Sequence, residues 1–317
     1  MAVPGLPIPS SDLDRQHGFE TGTTLRKTGV ASRYLTRDET ASQLAARACG
    51  EALARSGIAW DEVDCLVAAS ATMDQALPYN AAMIHAELGL LQHRTATFDI
   101  GASCMSFLTA LDVCSTLVEA GRFRRVMIVS ADISTFTTDR SELKTNGIFG
   151  DGAAACLIAP AEDAESAVLA SAITTFSEGV EFCQIKSGGS RFHRRVPGSN
   201  SEALFEMNPG PLYALIAREL PGFVNRLLHR AGVTLADIDL MVPHQASHLA
   251  LKHVTRMLGI DPAKVVDIFP HHGNQVAASL PTALHHGLTD PPLPRGSKLL
   301  LLGSGAGVTL GGMVMIY

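Results

Sequence analysis

Residues 55–67 read Arg-Ser-Gly-Ile-Ala-Trp-Asp-Glu-Val-Asp-Cys-Leu-Val, and residues 230–242 read Arg-Ala-Gly-Val-Thr-Leu-Ala-Asp-Ile-Asp-Leu-Met-Val, at a constant offset of 175. An Ala- and Leu-rich helical pattern precedes each stretch, at 40–56 in the first case and at 212–231, with a break at Pro221, in the second. A Gly suited to a left-handed helix cap ends each helix, and a short apolar strand follows. This repeat predicts an internal duplication of the chain.

The repeated pattern continues beyond these strands. Residues 98–100 precede a turn of small residues and an amphipathic helix, as residues 266–268 do, and residues 125–129 match 298–302 as the next strand. Alternating helices and strands of these lengths favour mostly parallel sheets covered by helices. We therefore predict an α/β protein whose two similar halves, related by a pseudo-two-fold axis, are residues 1–160 and 161–317.

The composition excludes several classes of protein. Hydrophobic residues make up 46% and charged residues 18% of the 317 residues, which is typical of a compact enzyme and not of a disordered chain. The formal net charge of -6 argues against nucleic acid or an anionic membrane as the main partner. Residues 299–317 carry no charge, but their glycines split them into what we predict to be two buried strands, not a membrane span.

The cysteines point to a cytoplasmic protein and to one candidate nucleophile. No Cys-x-x-Cys pair is present, and the first residues do not resemble a signal peptide. Cys104 follows a predicted strand and begins an apolar-periodic helix, where unpaired backbone N–H groups and the helix dipole favour a thiolate. We predict that Cys104 is a nucleophile with a lowered pKa, and that the buried hydrophobic cysteines are Cys49, Cys65, Cys114 and Cys156.

Two polar side chains follow core strands at places equivalent to that of Cys104. His244 comes directly after one predicted strand, and Asn274 follows another. Since ligands of such sheets bind outside the carboxyl ends of the strands, a single cleft can collect all three residues. His provides proton transfer near neutral pH, and Asn provides a neutral donor. The glycine-rich loop 303–307 lets a ligand approach backbone N–H groups.

The histidines offer an alternative interpretation as a metal site. His244 and His248 are four residues apart, and further histidines occur at positions 271, 272, 285 and 286. No Glu follows His244 as in the zinc-protease pattern, and no carboxylate lies within the two His-rich segments. We therefore expect no metal, and we interpret His285 and His286 as residues of a helix surface.

Four segments occur in order along the chain: Asp-Ile-Gly-Ala-Ser-Cys at 99–104, Ile-Phe-Gly-Asp-Gly-Ala-Ala at 148–154, Val-Pro-His-Gln-Ala at 242–246 and His-Gly-Asn-Gln-Val-Ala-Ala-Ser at 272–279. Together they resemble the β-ketoacyl-acyl-carrier-protein synthase III family of the thiolase superfamily, over nearly the whole chain. The resemblance implies a thiolase-like fold, in which the two halves form an αβαβα arrangement of layers, and a homodimer.

The resemblance also implies a reaction. An acyl group passes from a coenzyme A thioester to Cys104 and is then condensed with a malonyl thioester on acyl carrier protein, with release of carbon dioxide. Backbone N–H groups of Cys104 and Gly307 would hold the oxyanion of acyl transfer, and His244 and Asn274 would bind the enolate oxygen formed by decarboxylation. The two thioesters are substrates, and no cofactor is expected.

Other positions follow from the same resemblance. The substrate-binding residues would be Lys27, Leu77, Phe149, Gly210, Tyr213, Ala246, Ser247 and Gly305. Phe149 would line the cleft, and Leu77 would cross the dimer interface to close the acyl pocket of the other subunit. The chain departs from the family at Met105 and Ser106, which replace Ala and Gly, and at Leu249, which replaces a carrier-docking Arg. The Trp that stacks on adenine is absent.

The departure at Leu249 bears on how the carrier binds. We expect four basic side chains to supply the docking charge in this acidic protein, namely Lys252, Arg256, Arg194 and Arg195. The alternative for the two arginines is an ordinary solvated loop. Residues 4–13 resemble the segment after the family's first strand, so we also expect that strand to be missing or replaced.

Two other functions stay open from the sequence alone. One is a non-condensing acyltransferase or thioesterase that uses the same Cys104, and the other is a non-catalytic subunit of a heteromeric synthase. Asn274 favours condensation, because simple acyl transfer needs no stabilised enolate. The sequence names neither the acyl chain nor the pathway, which is fatty-acid initiation or a specialised biosynthesis.

Overall fold

Two four-stranded sheets form the centre of the fold in the computed structural model, which describes residues 1–161, 166–190 and 201–317. In this described part, the strands in chain order are β1 (Ile8–Pro9), β2 (Ser32–Arg33), β3 (Cys65–Ala68), β4 (Ala96–Asp99), β5 (Val126–Asp132), β6 (Gly152–Ile158), β7 (Ala167–Thr175), β8 (Cys183–Gln184), β9 (Glu206–Met207), β10 (Leu240–Pro243), β11 (Lys298–Gly305) and β12 (Thr309–Ile316). The helices are α1 (Ser10–His17), α2 (Thr23–Thr28), α3 (Ala41–Ser56), α4 (Asn80–Glu87), α5 (Ser106–Glu119), α6 (Leu143–Asn146), α7 (Pro209–Ala231), α8 (His248–Leu258), α9 (Phe269–His272) and α10 (Ser279–Thr289).

Three strands of each sheet correspond to one another, in the order β3-β5-β6 in the first sheet and β10-β11-β12 in the second. The first has the order β4-β3-β5-β6, in which β3 is parallel to both neighbours and β6 is antiparallel to β5. The second has the order β10-β11-β12-β7, with β10 parallel to β11 and the next two pairs antiparallel. Val265 adds a parallel one-residue bridge to Met241 on β10, in the place that β4 holds beside β3.

The prediction of mostly parallel sheets is therefore wrong in its detail, although the predicted duplication agrees with the strand order. Each sheet contains both parallel and antiparallel strand pairs. In the second half, the antiparallel strands β11 and β12 are joined by a tight connection at 306–308. Antiparallel neighbours need only such a short turn, whereas a parallel pair needs a crossover.

The secondary structure packs in five layers. Helices α3 and α4 cover the outer face of the first sheet through a buried cluster around Leu44. Helices α5 and α10 lie between the two sheets, where Phe107 and Leu280 are fully buried. Helix α7 covers the outer face of the second sheet. Along β3, Val67 faces the central layer and Leu66 faces α3, which is the period-2 pattern of a strand buried on both faces.

Helix α7 differs from its prediction. It runs without a break from Pro209 to Ala231, so the expected interruption at Pro221 is wrong. An interior proline costs a helix about 3 kcal/mol. Leu220 and Phe223, close to Pro221 in the helix, are almost fully buried against the second sheet. Burying such a side chain stabilises the fold by about 2 kcal/mol. Packing of this face therefore offsets the cost of the proline.

The N-terminal segment supplies one residue beside β6. Ala2 forms an antiparallel bridge to Ala153, with N···O distances of 2.8 and 2.9 Å. In the second half, the full strand β7 holds the equivalent place beside β12. The expected division near residue 160 lies between β6 and β7, which belong to different sheets, and this domain boundary stays a prediction.

The C-terminal apolar segment forms strands. Residues 299–317 lie mainly in the antiparallel neighbours β11 and β12, as predicted. Within the described ranges, the model contains no helix with the length and apolar character needed to cross a membrane.

Candidate active site

Cys104 lies in a tight turn between β4 and α5. The turn begins at Ser103, whose φ of 51° places it in the left-handed region. Ser106 closes the turn, because its hydroxyl oxygen accepts the N–H of Ala102 at 2.8 Å and lies 2.7 Å from the Ser103 carbonyl oxygen. We call residues 102–106 the nucleophile turn. The helix itself starts at Ser106, so Cys104 lies just before the helix and not at its first residue as predicted.

The charge state of Cys104 differs from the prediction. Although part of the residue is accessible to solvent, burial of the thiol, together with the charges of Asp132 and Cys183, raises its pKa to about 12. Hydrogen bonds from the backbone N–H groups of Cys104 and Ala306 act in the opposite direction. Desolvation outweighs the helix N-terminus here, so the expectation of a lowered pKa is wrong. At neutral pH the thiol is protonated.

His244 follows β10 directly and is held by its backbone, whose N–H donates to the Leu302 carbonyl at 2.8 Å. The residue is 6% exposed. Burial lowers the pKa of its imidazole to about 4, so the ring is neutral at pH 7. A neutral imidazole carries one N–H donor and one nitrogen that accepts a proton. The buried Nδ1 has no hydrogen-bond partner in the described structure.

Asn274 has a fixed side chain. Its Oδ1 accepts the backbone N–H of Val276 at 2.8 Å, and its Nδ2 donates to the Ala246 carbonyl at 3.3 Å. Its backbone N–H and carbonyl bond to Ile148 and Gly150, respectively, which ties it to the first half. The amide therefore points its Nδ2 toward the segment that carries His244. One of the two Nδ2 hydrogens is left to donate to a ligand.

The glycine-rich loop brings the two halves of the site together. A Cβ atom on Gly303 would lie 2.5 Å from Met105 Cε and 2.9 Å from His244 Cβ, and one on Gly305 would lie 3.5 Å from Cys104 N. Contacts this short require glycine at 303. The predicted loop therefore lies against both Cys104 and His244, and the hydrogen bond from Ala306 reaches the thiol.

Met105 is a component of the site that the sequence does not reveal. It is fully buried, and its side chain fills the space between the nucleophile turn and β11, beneath Gly303 and Gly311. The only signal in the sequence is its departure from the family pattern. A larger residue at 303 or 311 would collide with it.

Two buried carboxylates were also not singled out by the sequence. Asp132 ends β5, and Asp151 precedes β6, and both are fully buried. Each accepts several hydrogen bonds from backbone N–H groups, and burial raises the pKa of each, to about 6 for Asp132. Each lies at one end of an apolar strand. This pattern predicts where the residue lies in the fold, but not what it does.

Comparison with known proteins gives the family. Residues 98–177 match the model of the 3-oxoacyl-[acyl-carrier-protein (ACP)] synthase III family, and residues 228–317 match the model of its C-terminal part. The beta-ketoacyl-[acyl-carrier-protein] synthase III of Rhodospirillum centenum is 32% identical over 317 residues, covering 98% of this chain and 94% of the relative. The chain belongs to the β-ketoacyl-acyl-carrier-protein synthase III family. The enzyme of Pseudomonas aeruginosa PAO1 is 33% identical over 289 residues, covering 91% of this chain and 86% of the relative.

Solved structures agree with this assignment. The synthase III of Pseudomonas aeruginosa PAO1 superposes with a TM-score of 0.87 at 28% identity, covering 99% of this chain and 95% of that one. The synthase III of Aquifex aeolicus VF5 gives 0.89 at 25% identity, covering 100% and 97%. OleA of Xanthomonas campestris gives 0.85 at 20% identity, covering 100% and 96%, which shows the shared fold alone. The protein is thus a condensing ketosynthase with a thiolase-like fold.

Several positions expected from the synthase III resemblance lie near the site. Phe149 is buried and meets Phe205 edge to face, with ring centroids 5.2 Å apart. Ser247 caps helix α8 by accepting the N–H of Ala250 at 3.1 Å, and its hydroxyl lies 3.5 Å from the Tyr213 hydroxyl. Gly210 lies in the first turn of α7, and Gly307 is the last residue of the glycine-rich loop, with a φ of 132°.

Other expected positions lie on the surface. Lys27 on α2 is exposed, and its ammonium group lies 5.8 Å from the Phe19 ring centroid. Lys252 and Arg256 share an exposed face of α8. Leu77 is 82% exposed, outside the cleft of its own chain. Arg194 and Arg195 lie outside the described residues.

The interpretation of His285 and His286 as helix-surface residues is wrong. Both are partly buried, their ring centroids are 5.8 Å apart, and the His286 centroid lies 5.2 Å from that of His272. The approach of α10 to the Asn274 segment buries them. Within residues 1–161, 166–190 and 201–317, no three His, Cys, Asp or Glu side chains are placed to hold a metal ion.

We predict that the protein loses stability as the pH falls from about 6.5 toward 4. Burial lowers the pKa of His244, His272 and His285 to about 4, whereas an unfolded His has a pKa of about 6.5. The unfolded chain therefore binds more protons in this window and gains stability relative to the fold. Asp132 and Asp151, with raised pKa values, act in the opposite sense, but the histidines outnumber them.

The measurement is the free energy of unfolding in urea at pH 7.5 and at pH 5.0. A His285→Gln variant should show a weaker loss between the two pH values, because it removes one of the three histidines. An unfolding free energy that is equal or higher at pH 5.0 would contradict the prediction.

Proposed function

We propose that this protein catalyses the decarboxylative Claisen condensation of an acyl-coenzyme A primer with malonyl-acyl carrier protein, through an acyl-Cys104 intermediate. The observation that carries the proposal is the close approach of the Gly303–Gly305 backbone to both His244 and the nucleophile turn of Cys104, with the Ala306 N–H on the thiol. The Asn274 amide donates to Ala246, two residues after His244. The names of the synthase III relatives contain the carrier protein, which supports it as the second substrate.

The first step is acyl transfer to Cys104. Because the thiol and the His244 imidazole are both neutral at pH 7, the S–H proton has to leave as sulfur attacks the thioester carbon, and the imidazole is the base available. We propose that backbone N–H groups of Cys104 and Gly307 hold the oxyanion. Its collapse expels the coenzyme A thiolate, which takes the proton back from the imidazolium. The imidazole is then neutral for the second step.

The second step is decarboxylation and carbon–carbon bond formation. The His244 and Asn274 N–H groups donate to the malonyl thioester oxygen, which becomes negative as the bond to the carboxylate carbon breaks and carbon dioxide leaves. The electron pair of that bond forms the enolate, which attacks the acyl carbon on Cys104. The Cys104 thiolate is expelled and takes up a proton from solvent, because the original thiol proton left with coenzyme A. Neutral donors suit this step, because a protonated imidazolium would bind substrate and transition state alike.

The surface around α8 supports docking of an acidic carrier. A Cβ on Gly29, next to α2, would lie 2.7 Å from His248 Cβ at the start of α8, so the helix of Lys27 touches the helix of Lys252 and Arg256. These cations lie on one side of an acidic protein, and such a patch mainly steers encounter. We propose this face as the docking surface for the carrier.

We also propose that the enzyme acts as a homodimer. Segment 72–80 exposes the large apolar side chains of Met73, Leu77 and Tyr79, by 58%, 82% and 42%. Phe136 is 62% exposed. Burying such side chains against a second copy would remove apolar surface from water. In that arrangement Leu77 is the residue that would close the acyl pocket of the other subunit.

Acylation of Cys104 tests the first step. After mixing with acyl-coenzyme A, intact-mass measurement should show one adduct that maps to the Cys104 peptide. Cys104→Ala should show none, and Cys183→Ala, a control at a partly exposed cysteine, should load as the parent does. Adduct formation at Cys183 in the parent protein would contradict the assignment.

Asn274 separates condensation from simple acyl transfer. Asn274→Ala should still form the acyl-Cys104 adduct, while the rate of condensation with malonyl carrier protein falls about a hundredfold or more, as for loss of an oxyanion donor. Steady-state condensation and single-turnover loading measure the two effects. Normal condensation by the variant would show that Asn274 has no such role, whereas a parent protein that loads Cys104 but does not condense would favour the non-condensing acyltransferase or thioesterase.

Leu77→Asp tests the dimer. The charge should weaken association, so light scattering after size-exclusion chromatography should shift from dimer toward monomer, with loss of condensing activity. Leu6→Asp is the matched control, because Leu6 is equally exposed, at 84%, but lies outside segment 72–80. A monomeric parent protein, or a dimer unaffected by Leu77→Asp, would contradict the proposal.

A further inference from the structure

Asp132 lies beneath the active site, at the carboxyl end of β5, a central strand of the first sheet. Its side chain is fully buried. Oδ1 accepts the backbone N–H groups of Ala71 and Thr72 at 2.9 and 2.7 Å and the Thr72 hydroxyl at 3.0 Å. Oδ2 accepts the backbone N–H of Ala278 at 3.1 Å. One oxygen therefore holds the loop after β3, and the other holds a segment of the second half.

The segment held by Oδ2 is the one that fixes Asn274. Residues 276–278 form a short turn, and the first N–H of this turn, from Val276, donates to Asn274 Oδ1 at 2.8 Å. Asp132 thus holds the last N–H of the turn while Asn274 holds the first. If Ala278 were released, the turn that orients the Asn274 amide would lose its connection to the first half at this point.

We propose that Asp132 is a positioning residue: by accepting N–H groups of the loop after β3 and of Ala278, its carboxylate fixes the turn 276–278, and with it the Asn274 amide, relative to the first half. This proposal rests on the proposed function, because it concerns the condensation step.

Asp151 provides a matched control within the same half. It is also fully buried, and its side chain accepts N–H groups of Thr36, Ser134 and Thr135 at 2.9, 3.1 and 3.3 Å. All these partners belong to the first half. Asp151→Asn therefore removes a carboxylate of similar burial without releasing Ala278, and it should condense at about the parental rate.

The experiment on positioning measures condensation and acyl loading separately. An Asn side chain has a single acceptor oxygen, so in Asp132→Asn either the loop after β3 or Ala278 loses its acceptor. Condensation should fall at least about tenfold, while loading of Cys104 from acyl-coenzyme A should be retained. Asp132→Glu should also condense poorly, because its longer chain displaces the carboxylate from Ala278.

Normal condensation by Asp132→Asn, or an equal fall of condensation in Asp151→Asn, would overturn the proposal. If circular dichroism shows that Asp132→Asn does not fold, Asp132→Glu decides by the same comparison of loading and condensation. If the parent protein does not condense, the proposed function fails; if the parent condenses and Asp132→Asn condenses equally well, only the positioning role fails.

Discussion

The close approach of the glycine backbone in β11 to the nucleophile turn is the contact on which the rest of the site depends. A side chain at 303 would collide with Met105 and with His244, so only glycine lets the central strand of the second half lie against both. His244 takes its backbone position from the same strand, through the hydrogen bond to Leu302. The absence of a side chain at 303 thus determines how closely the nucleophile turn of the first half and His244 of the second half approach each other. The buried helices α5 and α10 hold the two sheets at the distance that this contact requires.

Burial then determines which chemistry is available at that contact. A preformed pair of thiolate and imidazolium would have to overcome the desolvation of two charges. Instead, burial raises the pKa of Cys104 to about 12 and lowers that of His244 to about 4, so both groups are neutral at pH 7. A neutral thiol is a poor nucleophile toward stray electrophiles. In the proposed reaction the thiol proton of Cys104 moves only as the substrate oxygen becomes negatively charged. Preorganised N–H groups stabilise this developing charge most strongly. Because Cys104 and His244 are both neutral, the thiol reacts slowly with other electrophiles and becomes a nucleophile only when substrate is bound.

The sequence predicted the parts of this site that are encoded locally. The repeat and its apolar periodicity placed Cys104 and His244 after strands, because strand ends follow from pattern and from turn residues. Pro221 was misjudged because its local cost is visible in the sequence, whereas the burial of its neighbours by the second sheet is not. The pKa of Cys104 was misjudged for the same reason: the helix end is local, and desolvation comes from the whole fold. Asp132 was missed because its bond to Ala278 joins residues 146 positions apart.

The departures from the family pattern differ in what they affect, and the structure separates them. Ser106 is fully buried, and its hydroxyl is engaged within and beside the nucleophile turn, with Ala102, Ser103 and the Ser70 carbonyl. Met105 is directed away from solvent, against the glycines of β11 and β12. Both side chains therefore pack inside the protein beneath Cys104, and neither is free to contact an acyl chain in the cleft. Leu249 is different, because it is 73% exposed, and replacing a cation there removes charge from the surface where a partner would arrive. It follows that the first two departures alter the support of the nucleophile, whereas the third alters the encounter with the carrier.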